Sequence, residues 1–131
     1  MNKSLAGRGA EELAVAYLRR QGYEVLERNV RMRFGEIDVV ARDGPTLCFI
    51  EIRSRSSDRF GLPEESINRE KRRRLVRLAE GYLQRPSAML RAGLREPAGP
   101  VRFDVLSILL GADGAPARTR LIKGAFDADG I

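Results

Sequence analysis

The sequence predicts a mixed α/β domain: a helix, three antiparallel strands, a second helix and a further strand, forming a central sheet flanked by helices. Three observations lead there. Between Tyr23 and Arg55, three strand-like segments follow one another with short connections, which makes them an antiparallel meander. Segments with apolar residues at helical spacing stand on either side of that run. The second of these separates the third strand from the apolar run Val101 to Leu110, and so supplies the crossover that a parallel strand requires.

Each element has its own signals. Ser4 can cap a first helix running to about Arg20, with Gly22 ending it and Ala10, Leu13, Ala14, Tyr17 and Leu18 as its apolar stripe. Tyr23 to Val30 reads as a first strand at an edge, and Glu36 to Arg42 as a second. Asp43-Gly44 is a turn signal. Thr46 to Arg55 is a third strand, apolar on both faces at its start and therefore central. A loop with Gly61 and Pro63 follows. Ser66 or Asn68 caps a second helix to about Gln84, with Leu75, Leu78, Ala79, Tyr82 and Leu83 as its stripe. Arg85 to Pro100 holds three of the six prolines and reads as loop. After the strand Val101 to Leu110, Ala117 to Ile122 is a short last strand, and Phe126 to Ile131 a loosely held tail. One domain over residues 1–131, with an ordered core of about 5–126, accommodates all of this.

Composition narrows the function. A chain of 131 residues buries roughly two thirds of its unfolded surface and needs no staple to fold. Cys48, the only cysteine, lies in the apolar run Leu47-Cys48-Phe49-Ile50 and reads as a small core residue. The absence of histidine excludes a Ser-His-Asp triad, a histidine base and histidine-ligated zinc. No leader-like N-terminal run or segment long enough to span a bilayer is present, so a cytoplasmic protein with no membrane partner is expected. The net charge of +6 and pI of about 10.2 favour a polyanion partner, with nucleic acid the default.

Two acids stand out in this basic chain. Asp38, in Gly35-Glu36-Ile37-Asp38, and Glu51, in Glu51-Ile52-Arg53, lie on neighbouring strands expected to pair. Buried charge is costly unless paired or bound to metal, so their position suggests a site for a hard divalent cation. Glu51 and Arg53 project from one side of the third strand, roughly 6.5–7 Å apart, which puts a cation beside the acids. Glu36 and Asp38 share a face of the second strand by the same alternation. Glu11 falls on or beside the stripe of the first helix, where an acid is either paired with an arginine or drawn towards a metal. The second helix carries Arg69, Lys71, Arg72, Arg73, Arg74 and Arg77, a run near its start. This run is either a solvated face or, with Arg53 and Arg55, a phosphate-contacting surface. Asp104, mid-strand beside Arg102, reads as half of an ion pair.

Over nearly the whole chain these residues resemble the YraN-type family of small bacterial proteins within the PD-(D/E)XK nuclease superfamily. The resemblance rests on Gly9-Ala10-Glu11-Glu12-Leu13-Ala14, Gly35-Glu36-Ile37-Asp38-Val39-Val40, Phe49-Ile50-Glu51-Ile52-Arg53-Ser54-Arg55 and Arg102-Phe103-Asp104-Val105. The pattern is also similar to that of archaeal Holliday-junction resolvases. The resemblance implies a restriction-endonuclease-like fold. It further implies metal ligation by Asp38 and Glu51 with Glu11 as a supporting acid, Mg²⁺ or Mn²⁺ as cofactor, and a DNA endonuclease acting on structured or branched DNA. The superfamily's lysine falls on Arg53, which departs from the pattern because arginine stays charged and is a poor base. Lys71 is the nearest substitute amine in sequence. The alternative reading is a nucleic-acid-binding protein of nuclease fold without turnover. A homodimer is compatible with either, since two-fold dimers suit the cutting of two strands.

Overall fold

A computed structural model describes residues 5–55, 68–85, 99–113 and 115–126 of the chain. Its elements are α1 (Leu5–Arg20), β1 (Glu24–Met32), β2 (Gly35–Asp43), β3 (Thr46–Arg55), α2 (Arg69–Leu83), β4 (Val101–Leu110) and β5 (Pro116–Phe126). The strands form one mixed sheet in the order β1-β2-β3-β4-β5. Only the β3–β4 pairing is parallel, running from Leu47↔Val101 to Arg55↔Leu109; the others are antiparallel. The expected meander, crossover and central third strand are all present.

The helices cover opposite faces. On one, Ala10, Ala14, Val15 and Leu18 of α1 pack on Val39, Ala41, Cys48, Ile50, Leu106 and Ile108. On the other, Leu75, Val76, Leu78, Ala79 and Tyr82 of α2 pack on Ile37, Val40, Leu47, Phe49 and Phe103. Phe49 anchors this second core, its ring set edge-on to Tyr82 at 5.6 Å and stacked on Phe103 at 5.9 Å. Cys48 is fully buried, and burial pushes its thiol up to about 12, which suits a core residue.

Local chemistry sets the ends of the helices. Gly22, at φ 94°, closes α1: its N–H donates to the Arg19 carbonyl and that of Tyr23 to the Leu18 carbonyl, a Schellman pair. Tyr23 and Leu18 then join the same core. Asn68 caps α2, its side-chain oxygen accepting from the Lys71 N–H at 2.9 Å. Ser66, the other expected cap, lies outside the described residues, as do Gly61, Pro63 and most of the segment read as loop between Arg85 and Pro100.

Two expectations are corrected. The inward stripe of α1 is rotated: Val15 is buried and Leu13 is 42% exposed, because the Glu11, Val15, Leu18 line faces the sheet. The last strand is also longer than expected, because Lys123 and Gly124 interrupt the apolar pattern without ending the strand. Gly124 takes φ 62° and donates its N–H to Asp104 Oδ1, and Phe126 stacks on Phe103 at 5.2 Å. Phe126 is thus part of the fold, while residues 127–131 lie outside the described set.

Asp104 is fully buried and has its partners. It accepts from Arg102 Nε at 2.8 Å, from Tyr23 Oη at 2.8 Å and from Gly124, while Arg102 reaches on to Asp43 at 2.8 Å. The ion-pair reading of Asp104 holds. Burial and the neighbouring carboxylate push the Tyr23 phenol above its ordinary range, so it stays a donor. Removing one member of a buried pair strands the other. Asp104→Ala is expected to cost on the order of 3 kcal/mol in urea unfolding, and Asp104→Asn distinctly less. Equal stability of Asp104→Ala and the parent would show the network to be dispensable.

Candidate active site

The site begins where the sheet divides. The β2–β3 ladder ends at Val39↔Ile50, whereas β1–β2 continues to Met32↔Gly35 and β3–β4 to Arg55↔Leu109. Beyond Val39, then, a β1–β2 hairpin diverges from the β3–β4–β5 part of the sheet. Asn29, which the register sets across from Asp38, has φ 51° and bends the hairpin. The face alternation breaks there too: Val39 packs towards α1, yet Ile37, two residues earlier, packs towards α2. The shared face expected for Glu36 and Asp38 presumed a regular strand, and β2 is not regular at this point.

Asp38 closes the crotch of the fork. Its Oδ2 accepts the Ile52 backbone N–H at 2.9 Å, replacing the strand carbonyl that has moved away. On β3, Cys48, Ile50 and Ile52 turn to α1, so Glu51 and Arg53 project on the α2 side. Asp38 and Glu51 come together: burial first, then the charge of Asp38 and a hydrogen bond to it, raise the Glu51 carboxyl from its ordinary 4.5 to about 7. Arg53 and Arg74 oppose that rise. Arg53 Nη1 lies 3.8 Å from Glu51 Oε1, within ion-pair range but too far for a hydrogen bond. Two cations thus stand at the margin of the pair.

The remaining expected site residues are distributed more widely. Glu11 is buried on α1, on the opposite side of the sheet from Glu51. Among the described residues no three acidic side chains group closely enough to hold one ion, so the expected convergence of Glu11 with Asp38 and Glu51 is not found. The reason is the layering, which puts α1 behind the face that carries Ile50 and Ile52. Its neighbour Glu12 is exposed and pairs with Arg28 at 2.6 Å. Glu36 pairs with Arg31 at 3.9 Å. Arg55 follows Arg53 on the same face of β3 and is half-buried.

The basic run of α2 divides. Arg69, Arg73 and Arg74 line a groove of about 910 Å³ between α2 and the tip of the β1–β2 hairpin. Arg72 instead lies over the Phe126 ring at 5.7 Å, and Lys71 is half-buried in the first turn. Arg77, of the same run, lines the groove too, and it has further members that the sequence reading missed: Arg33 and Phe34 from the hairpin turn, and Arg85. Hydrophobic periodicity carried no sign of them, since a two-residue turn has no period. A signal was present, however: such turns favour Asn-Gly chemistry, and Arg33-Phe34 is unusual there.

A mixed sheet with a helix on each face, split around a half-buried acid pair beside arginines, defines the class. The chain belongs to uncharacterised protein family UPF0102, whose family model matches residues 10–108. It is 41% identical to a UPF0102 protein of Syntrophus aciditrophicus, covering 92% of this chain and 87% of that one. It is 39% identical to one from Caldicellulosiruptor saccharolyticus (96% and 100% covered) and 44% identical to one from Moorella thermoacetica (96% and 98% covered).

The raised Glu51 pKa has a consequence for stability. The unfolded chain loses this proton near 4.5, whereas the folded chain holds it to about 7. The contribution is therefore fully present below about pH 4.5 and is lost as pH rises through 7. Unfolding free energy should fall between pH 5 and pH 8 by on the order of 2 kcal/mol more in the parent than in Glu51→Gln. Parallel pH profiles for the two proteins would contradict the assignment.

Proposed function

We propose that this protein is a divalent-cation-dependent nuclease, cleaving phosphodiester bonds in structured or branched DNA. The observation that carries the reading is the Asp38–Glu51 pair, in which burial first and the charge of Asp38 second lift Glu51 to about 7. A fold has little reason to keep such a pair unless something positive is to be placed against it.

The donor set fits a hard cation. Both groups are carboxylates, which Mg²⁺ and Mn²⁺ prefer, and Mg²⁺ is commonly held by one or two carboxylates with the rest of its shell from water and phosphate. Such an ion would supply positive charge to a phosphate oxygen and acidify a neighbouring water. The chain's own groups do the rest. The Asp38 carboxylate is oriented by the Ile52 N–H and stands beside Glu51. Arg53 and Arg74 can hold non-bridging phosphate oxygens as charge builds there. Arg53 cannot take a proton from water, so proton transfer falls to solvent or to the substrate's own phosphate.

The second reading, binding without turnover, draws on one specific observation. The residue 3.8 Å from Glu51 is an arginine, where the nuclease pattern has an amine. Cleavage of duplex, flap, four-way junction and single-stranded DNA in Mg²⁺ and in Mn²⁺ distinguishes the two. The nuclease reading expects Asp38→Ala and Glu51→Gln to reduce cleavage by on the order of a hundredfold or more. It expects Arg53→Ala to abolish cleavage and Arg53→Lys to keep or raise it. Parent protein that binds DNA yet cuts no substrate in either metal would favour the second reading.

A further inference from the structure

The groove between α2 and the hairpin tip is built from few residue types. Six arginines line it: Arg33 from the turn, and Arg69, Arg73, Arg74, Arg77 and Arg85 from α2 and its end. Glu70 is the one acid among the described lining residues. Arg69, Arg73 and Arg77 recur at every fourth residue, so they form a row along one helix face, about 6 Å of rise apart. So many like charges on one wall repel one another and destabilise the empty helix slightly. Their complement is a polyanion.

The tip adds a second, independent element. Phe34 is 78% exposed, the most exposed of the large apolar residues described. The Arg33 guanidinium lies over its ring, 5.2 Å from the centroid. A lone exposed aromatic is unremarked on most surfaces. This one lies at the rim of an arginine groove, in a turn whose backbone needs no aromatic. Arg74 joins the groove to the acid pair, since it both lines the former and acts on Glu51.

Taken together, we infer that the groove holds a single strand of nucleic acid, its phosphates along the arginine row and a nucleobase stacked on Phe34. A duplex satisfies only half of this surface, because its bases are already stacked on one another. An unpaired strand offers both backbone charge and a free base face, and aromatic side chains beside basic grooves are how such strands are held without reading sequence. The inference rests on the nuclease reading only for its direction: a strand in the groove runs past Arg74 towards Asp38 and Glu51.

The chain has no tryptophan, so Phe34→Trp places a unique fluorophore at the tip. Titration with a single-stranded oligonucleotide, without divalent cation, is expected to quench it, and a duplex of equal length is expected not to. Phe34→Ala should weaken single-strand binding about tenfold while leaving duplex binding nearly unchanged. Arg73→Gln with Arg77→Gln should weaken both and flatten the salt dependence. Because Phe34 is exposed, these variants should unfold like the parent, and urea curves check that. No quenching together with an unaltered Phe34→Ala affinity overturns the inference. So does equal displacement by polyglutamate of the same charge, which would make the groove a surface for acidic protein. Quenching by single strands from a protein that cuts nothing would sustain the groove and remove the nuclease reading, so the two fail separately.

Discussion

The Ile52 N–H is bonded to a side chain where an antiparallel neighbour would have offered a carbonyl. That exchange, at 2.9 Å, marks the place where one sheet becomes two arms. Were β2 to stay in register with β3, Asp38 would be an ordinary strand residue and the fork would close. Asn29, across from Asp38 on β1, takes a positive φ at the same level, and the Asp38 carboxylate satisfies the donor that the parting of β2 and β3 exposes. The acid pair, the hairpin's approach to α2 and the groove between them all depend on this departure.

Two acid clusters among the described residues show how differently carboxylates are treated. Asp104 is saturated by Arg102, Tyr23 and Gly124, and its network joins the end of α1 to β4 and β5. Such complete pairing is what a structural acid requires. At the fork, Glu51 faces another carboxylate, and its nearest guanidinium stands 3.8 Å away. The same sheet thus surrounds one acid with donors at one end and sets two acids against each other at the other. That contrast, more than the presence of acids as such, separates a site from a scaffold.

Most of the fold is legible in the sequence because the signals are local. Gly22, Asn68 and Asp43-Gly44 mark ends and turns through backbone chemistry, and the apolar start of β3 identifies the central strand. The juxtaposition of Asp38 and Glu51 is legible too, since it needs only two neighbouring strands. What fails to show is what depends on packing between elements. Helical spacing alone favours Leu13, but the sheet selects Val15 and Glu11 as the inward line. Layering then holds Glu11 away from the other two acids, which no one-dimensional pattern reveals. A run of cations likewise gives no hint that Arg72 will turn to Phe126 while Arg73 and Arg74 turn to the hairpin.

Two glycines fix how closely the hairpin lies on α2. A Cβ at Gly35 would come within 3.2 Å of Leu78 Cδ1, and one at Gly81 within 3.0 Å of Met32 Cε. Gly35 opens the same strand that carries Asp38 three residues later. β2 therefore behaves as a lever whose fulcrum is the bend at Asn29 and Asp38, with the groove wall at its free end. A methyl group at either glycine would press on the end of the strand that carries the Asp38 carboxylate. The groove wall and one member of the acid pair thus share a single strand, whose closeness to α2 depends on two glycines, one of them in the groove itself.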